Sequence, residues 1–239
     1  MEKLGIFYSC FKETNAVNFS IDILNIVYPN IKIYLVSDGG EDFSYLTKKY
    51  PNVKAVLESD TMSKTFELTD ESFREEEKQK IIKNCAQSVI NRLKDASDYL
   101  ETEYILMCDP DTLVRGKLNI PDGVELLGSK INSGTSPSYK KVLSSIDGAI
   151  SIDSWGATPA IFKTSTFLKS LEVLKTHPKL FNNLSESFHA LYAHDFLLPT
   201  LFALVGKEET YNPDIVECNR NKMWSFTNQP LVHQFKYLY

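Results

Sequence analysis

Two periodicities alternate along the first half of this chain, and that alternation limits its folds more than any other feature. Short runs rich in β-branched and aromatic residues, "KLGIFYSCF" (Lys3 to Phe11), "IKIYLVSDGG" (Ile31 to Gly40) and "NVKAVLE" (Asn52 to Glu58), read as strands. Between them, "SIDILNIV" and the Phe43, Leu46, Tyr50 series place apolar residues at helical spacing. A longer helix follows, with Ser72 and Glu75 in capping-box order and Ile81, Cys85, Val89 and Leu93 at every fourth position. It leads into "EYILMCDPDTLV" (Glu103 to Val114), an apolar strand that finishes on two carboxylates. The order predicts an α/β fold: a mostly parallel central sheet, Rossmann-like, flanked by helices on both faces. Ligands of such sheets gather at the carboxyl ends of the strands, where Asp38, Asp109 and Asp111 fall.

The second half differs, with a Gly/Ser/Pro-rich loop over Gly128 to Lys141, the turn-rich "IDGAISIDSWGATPAIF" and then two helical segments. No linker separates the halves. A single domain over residues 1–239 is expected, with one lobe over about 1–115 and a second over about 116–239, each for one of two ligands. A net charge of -5 argues against general nucleic-acid binding, which needs a basic surface. "REEEKQK" (Arg74 to Lys80) mixes signs at helical spacing and reads as a solvated helix face. The apolar stretch in "MEKLGIFYSC" is too short for a signal peptide or a membrane span, so a cytoplasmic protein without a transmembrane segment is expected. Cys10, Cys85, Cys108 and Cys218 are scattered without CxxC spacing and read as free thiols in a reducing compartment.

Asp109 and Asp111 carry the strongest chemical signal. Two carboxylates two apart on extended backbone face the same side and can share a divalent cation. Pro110 fixes its own φ and biases Asp109 towards an extended conformation. A solvated Asp-Pro-Asp turn is the plain structural alternative.

A hydrophobic strand followed by DxD resembles the signature of glycosyltransferases of the GT-A fold. The resemblance implies transfer of a sugar from a nucleoside-diphosphate sugar, UDP- or GDP-linked, to a hydroxyl of a glycan or other acceptor. It puts Asp111 on Mn2+ or Mg2+, Asp109 on ribose or metal, and the lobes on nucleotide and acceptor respectively. Tyr8, Cys10 and Asp38, at the ends of the first two strands, become candidates for the nucleoside, and Arg92, beside Asn91 on the preceding helix, for the donor. "SWGATPAIF" resembles the segment whose backbone approaches the sugar or acceptor, with Trp155 as an apolar platform and Gly156 allowing the approach. "YAHDFLLPTLFALVG" resembles the family's acidic segment, and Asp195 is the candidate general base of an inverting reaction. His194 stands there in place of the usual Glu. Asp195 also reads as a helix N-cap. "QPLVHQFKYLY" supplies His233 as a third metal ligand and Lys236 as a cation for the diphosphate. An imidazole among carboxylates favours Mn2+ over Mg2+. His177 and His189 receive no role.

Two other readings fit parts of the pattern. Haloacid dehalogenase-like phosphatases also place DxD after a hydrophobic strand, although here Thr112 comes one residue early and the usual Gly is absent. A sugar-nucleotide-binding domain without turnover would keep the same metal motif.

Overall fold

The computed structural model describes residues 2–58, 75–128, 131–132, 137–152, 154–155, 158–177, 179–180, 193–217 and 229–233. The first half runs β1 (Glu2–Cys10), α1 (Thr14–Val27), β2 (Ile33–Asp38), α2 (Ser44–Lys49), β3 (Val53–Glu58), α3 (Glu75–Leu100) and β4 (Thr102–Cys108). The second half adds β5 (Leu113–Val114), β6 (Leu126–Gly128), β7 (Ile131–Asn132), α4 (Pro137–Ser144), β8 (Ser154–Trp155), β9 (Ala160–Lys163), α5 (Thr164–Thr176), α6 (Ala193–Ala203), β10 (Thr210–Tyr211), β11 (Ile215–Glu217) and β12 (Leu231–His233).

Seven strands form the main sheet in the order β10-β6-β9-β4-β1-β2-β3. All neighbours are parallel except around β9, which runs against both β4 and β6. The expected α/β architecture is therefore present, with one reversed strand that the sequence did not announce. The core strands are near-continuous apolar runs because both of their faces are covered. On one face Ile6 and Leu106 pack with Val17, Ile21 and Leu24 of α1. On the other, Phe7, Ile105 and Met107 meet Val89, Leu93 and Ala96 of α3, together with Phe167 of α5 and Leu201 of α6. The fourfold spacing read on α3 puts Cys85, Val89 and Leu93 in the interior, while Ser72 lies outside the described residues.

The stretch from Gly128 to Lys141, expected as one loop, holds β7 and the first turns of α4. Pro137 is the first residue of that helix, where its missing N–H has no intrahelical partner to lose and its fixed φ suits the helix. Two small sheets complete the fold, β7 against β8 and β11-β12-β5. The second of these builds the site.

Candidate metal site at the end of the fourth strand

β4 stops at Cys108, and the chain turns at once. The carbonyl of Asp109 accepts the N–H of Thr112 at 3.0 Å, and Thr112 Oγ1 accepts the N–H of Asp109 at 3.1 Å. This is a β-turn with Asp first and Pro second, an arrangement both residue types favour. The two carboxylates therefore meet through a turn, and not through the side-to-side alternation of an extended strand. The turn and the site are one object. Thr112 is fully buried, and its carbonyl accepts from Tyr8 Oη at 3.1 Å and from Ser20 Oγ at 2.9 Å. Those bonds tie the turn to β1 and α1.

β5 follows and pairs antiparallel with β12, Leu113 opposite Val232 and Val114 opposite Leu231. Just beyond, the Arg115 N–H donates to the Pro230 carbonyl at 2.9 Å, and Arg115 Nε to the Gln229 carbonyl at 2.8 Å. On its other side β12 pairs with β11. This frame delivers His233 to the turn: its Nε2 lies 3.3 Å from Asp109 Oδ2 and 3.9 Å from Asp111 Oδ1. Ligand atoms of the three residues all lie within 4.8 Å of one another. Around a small octahedral cation with bonds of about 2.1 Å, neighbouring ligand atoms are about 3 Å apart and opposite ones about 4 Å. The two separations from His233, 3.3 and 3.9 Å, fall in that range, and two carboxylates with one imidazole form a set that could hold a divalent cation. His233 and Asp111 are nearly buried, whereas Asp109 is 26% exposed.

One partner of the trio went unread in the sequence. Thr158, buried just ahead of β9, donates its hydroxyl to Asp109 Oδ2. Isolated threonines carry no signal for such a role, and only the strand register brings this one to Asp109.

Other expected contacts take different positions. Tyr8 is fully buried, and its hydroxyl donates to the Thr112 carbonyl beneath the turn. Cys10 is likewise buried beside the acidic turn. Burial first, and then the charges of Asp109, Glu13 and Asp111, push its thiol well above the ordinary range. Asp38 and Arg92, expected as separate donor contacts, meet each other: Arg92 Nη2 donates to Asp38 Oδ1 and Nε to Glu58 Oε2 at 2.6 Å. Burial opposes the guanidinium charge, but the two carboxylates overcome it and hold the group protonated. With Arg92 1% exposed, this ion pair braces the ends of β2 and β3.

Trp155 lies in β8, opposite Ile131. Gly156, Lys236, His189 and Cys218 lie outside the described residues. His194 and Asp195 lie within α6 as described, so Asp195 is a helical residue and not the N-cap. Pro199 lies inside α6 and lacks the N–H that would otherwise bond to the Asp195 carbonyl. α6 packs beside α3, α5 and β8. His177 closes α5 at an exposed position, its Nδ1 3.0 Å from the Val173 carbonyl. No helix among the described residues is long and apolar enough to cross a membrane.

No protein-family model matches the chain, and no curated protein matches it in sequence. Its architecture is a different matter. The galactosyltransferase LgtC, solved with donor and acceptor sugar analogues, superposes over 96% of this chain and 86% of its own with a TM-score of 0.56 at 11% identity. The fold is that of the GT-A glycosyltransferases. Core-mannan synthase A (CmsA/Ktr4) of Aspergillus fumigatus, in its Mn/GDP form, shares this GT-A fold over 88% of this chain and 73% of its own, with a TM-score of 0.51 and 10% identity. The glycosyltransferase GlyE of Streptococcus pneumoniae TIGR4 covers 98% of this chain with 54% of its own, at a TM-score of 0.51 and 9% identity. In this GT-A fold the carboxylate turn stands where a parallel sheet presents ligands, at the carboxyl end of a central strand.

Proposed function

We propose that this chain is a metal-dependent glycosyltransferase, moving a sugar from a UDP- or GDP-linked donor to a hydroxyl of a glycan or other acceptor. The convergence of Asp109, Asp111 and His233 at one point of a GT-A fold carries this reading. Asp111 and His233 would hold Mn2+, or less readily Mg2+, with Asp109 as third ligand or as ribose contact. A cation so held supplies charge stabilisation to the departing diphosphate. CmsA, similar in fold, was solved with Mn and GDP. The phosphatase alternative finds no support among these neighbours, which are glycosyltransferases.

The chain's own residues then divide the work. Asp195 is the candidate base: as the acceptor oxygen bonds to the anomeric carbon, its proton passes to the carboxylate and the bond to the diphosphate oxygen breaks. That assignment corresponds to inversion. Trp155 and Gly156 are candidates to flank the sugar, His194 the acceptor, and Lys236 the diphosphate.

The deciding experiment incubates the protein with Mn2+ and labelled UDP- and GDP-sugars over an acceptor panel. Transfer that disappears with chelator and in Asp111→Ala supports the reading. Asp195→Ala should keep Mn2+-dependent nucleotide binding and lose transfer, and the anomeric proton of the product should show inversion by NMR. Net retention removes Asp195 from the base role. If the protein shows no metal-dependent binding of UDP, GDP, CDP or dTDP, the proposal as a whole fails.

A further inference from the structure

We propose that Thr158 is a positioning residue for the metal site, acting through the carboxylate of Asp109; the inference rests on reading Asp109, Asp111 and His233 as that site. The register of β4 against β9 pairs Tyr104 with Lys163 and Met107 with Ala160. Asp109 follows the end of β4 and Thr158 precedes the start of β9, so the antiparallel pairing brings both to the same end of the two strands. There a hydroxyl meets a carboxylate, and Thr158 Oγ1 donates to Asp109 Oδ2.

The bond has a specific consequence for the cluster. Asp109 lies on a turn and is 26% exposed, so each partner of its carboxylate helps to select the rotamer. The same Oδ2 that Thr158 holds is the atom 3.3 Å from His233 Nε2. One oxygen is thus fixed by a donor from β9's approach and faced by an imidazole from β12. Holding Oδ2 sets the carboxylate plane, and with it the direction in which the group meets a cation. Thr158 is itself 5% exposed, so the hydroxyl is not diverted to bulk water. Outer partners of metal ligands act in this way, orienting the ligand before the ion arrives. The main-chain pairing of β9 with β4 does not need the hydroxyl, since Ala160 to Lys163 supply it.

The test measures Mn2+ alone, titrated onto the full-length chain and followed by the electron paramagnetic resonance signal of the free ion, with melting temperatures recorded without metal. Thr158→Val keeps the shape and removes the donor. It should weaken Mn2+ by about 10–100-fold, the usual effect of losing a ligand's outer partner, with the melting temperature nearly unchanged. Thr158→Ser restores the donor and should restore most of the affinity. Thr158→Ala, smaller still, should behave as the valine variant does. Unchanged Mn2+ affinity in a folded valine variant would overturn the inference, and so would a serine variant as weak as valine. Unfolding of both the valine and alanine variants would assign the hydroxyl to folding and also overturn it. If the wild-type protein fails to bind Mn2+, the reading of the cluster itself falls, a result distinct from failure of Thr158 alone.

Discussion

His233 reaches Asp109 and Asp111 from the small β11-β12-β5 sheet, so its replacement separates metal binding from folding. His233→Ala leaves the pairings of Leu231 and Val232 with β5 in place. It should cost more Mn2+ affinity than the roughly 10–100-fold typical of an outer partner, as calorimetry would show, while thermal unfolding without metal barely moves. The cysteines make a second residue-scale prediction. Burial, and to a lesser degree Asp38, pushes the Cys85 thiol up to about 12, with Arg92 pulling weakly the other way. Burial likewise raises Cys10 and Cys108. At pH 8 only about one Cys85 in ten thousand is thiolate, so iodoacetamide should leave all three unlabelled until the chain unfolds. Mass spectrometry of native and denatured samples reads this directly. Asp109, Asp111 and His233 were legible as residues because two carboxylates close an apolar run and an imidazole sits in a late apolar segment, groups able to share a cation. Thr158 was not, because a hydroxyl's partner is set by register. The buried pairing of Asp38 with Arg92 was equally hidden, since a charge's partner 54 positions away leaves no local trace.

Elements with a period of their own were readable, and those defined only by a partner were not. β1 to β4, α1 and α3 each carry enough residues to show alternation, apolar runs or fourfold spacing. β5 and β12 have two and three residues, too few for any period, and they exist because they pair across the molecule. Two glycines show how closely neighbouring segments approach. A Cβ on Gly40 would lie 1.6 Å from the Phe11 carbonyl oxygen, while the next residue's N–H donates to that same oxygen at 2.7 Å. Neither backbone can give way without breaking the bond. Gly40→Ala should therefore destabilise the protein by about 3 kcal/mol or more, at the upper end of overpacking costs, in urea titrations. Gly128 closes β6 against the buried Glu209, whose Oε1 would stand 1.9 Å from an added Cβ. A side chain can rotate where a carbonyl cannot, so Gly128→Ala should cost less than Gly40→Ala, about 1–3 kcal/mol. The reverse order in the same titrations would contradict this account.

At the scale of the molecule, ligand linkage gives the simplest check. A nucleotide present at a hundred times its dissociation constant adds about 2.7 kcal/mol to the folded state. For a chain of this size that corresponds to a rise in melting temperature of roughly 5–10 °C. The rise should require Mn2+, favour UDP or GDP, and vanish in Asp111→Ala. The α/β class was legible at this scale because strand-helix alternation leaves few other architectures, whereas reversed β9 and the small sheet depend on chain reversals that hydrophobic pattern does not encode. The distance between the two halves of the site has a further consequence, for biosynthesis. Asp109 and His233 are 124 positions apart, so a ribosome adding 5–20 residues per second exposes the carboxylates roughly 6–25 s before the imidazole exists. During that interval the turn presents Asp109 and Asp111 without their imidazole partner. The three-residue cluster is thus complete only once translation has passed β12, so the last segment made is the one that finishes the candidate site.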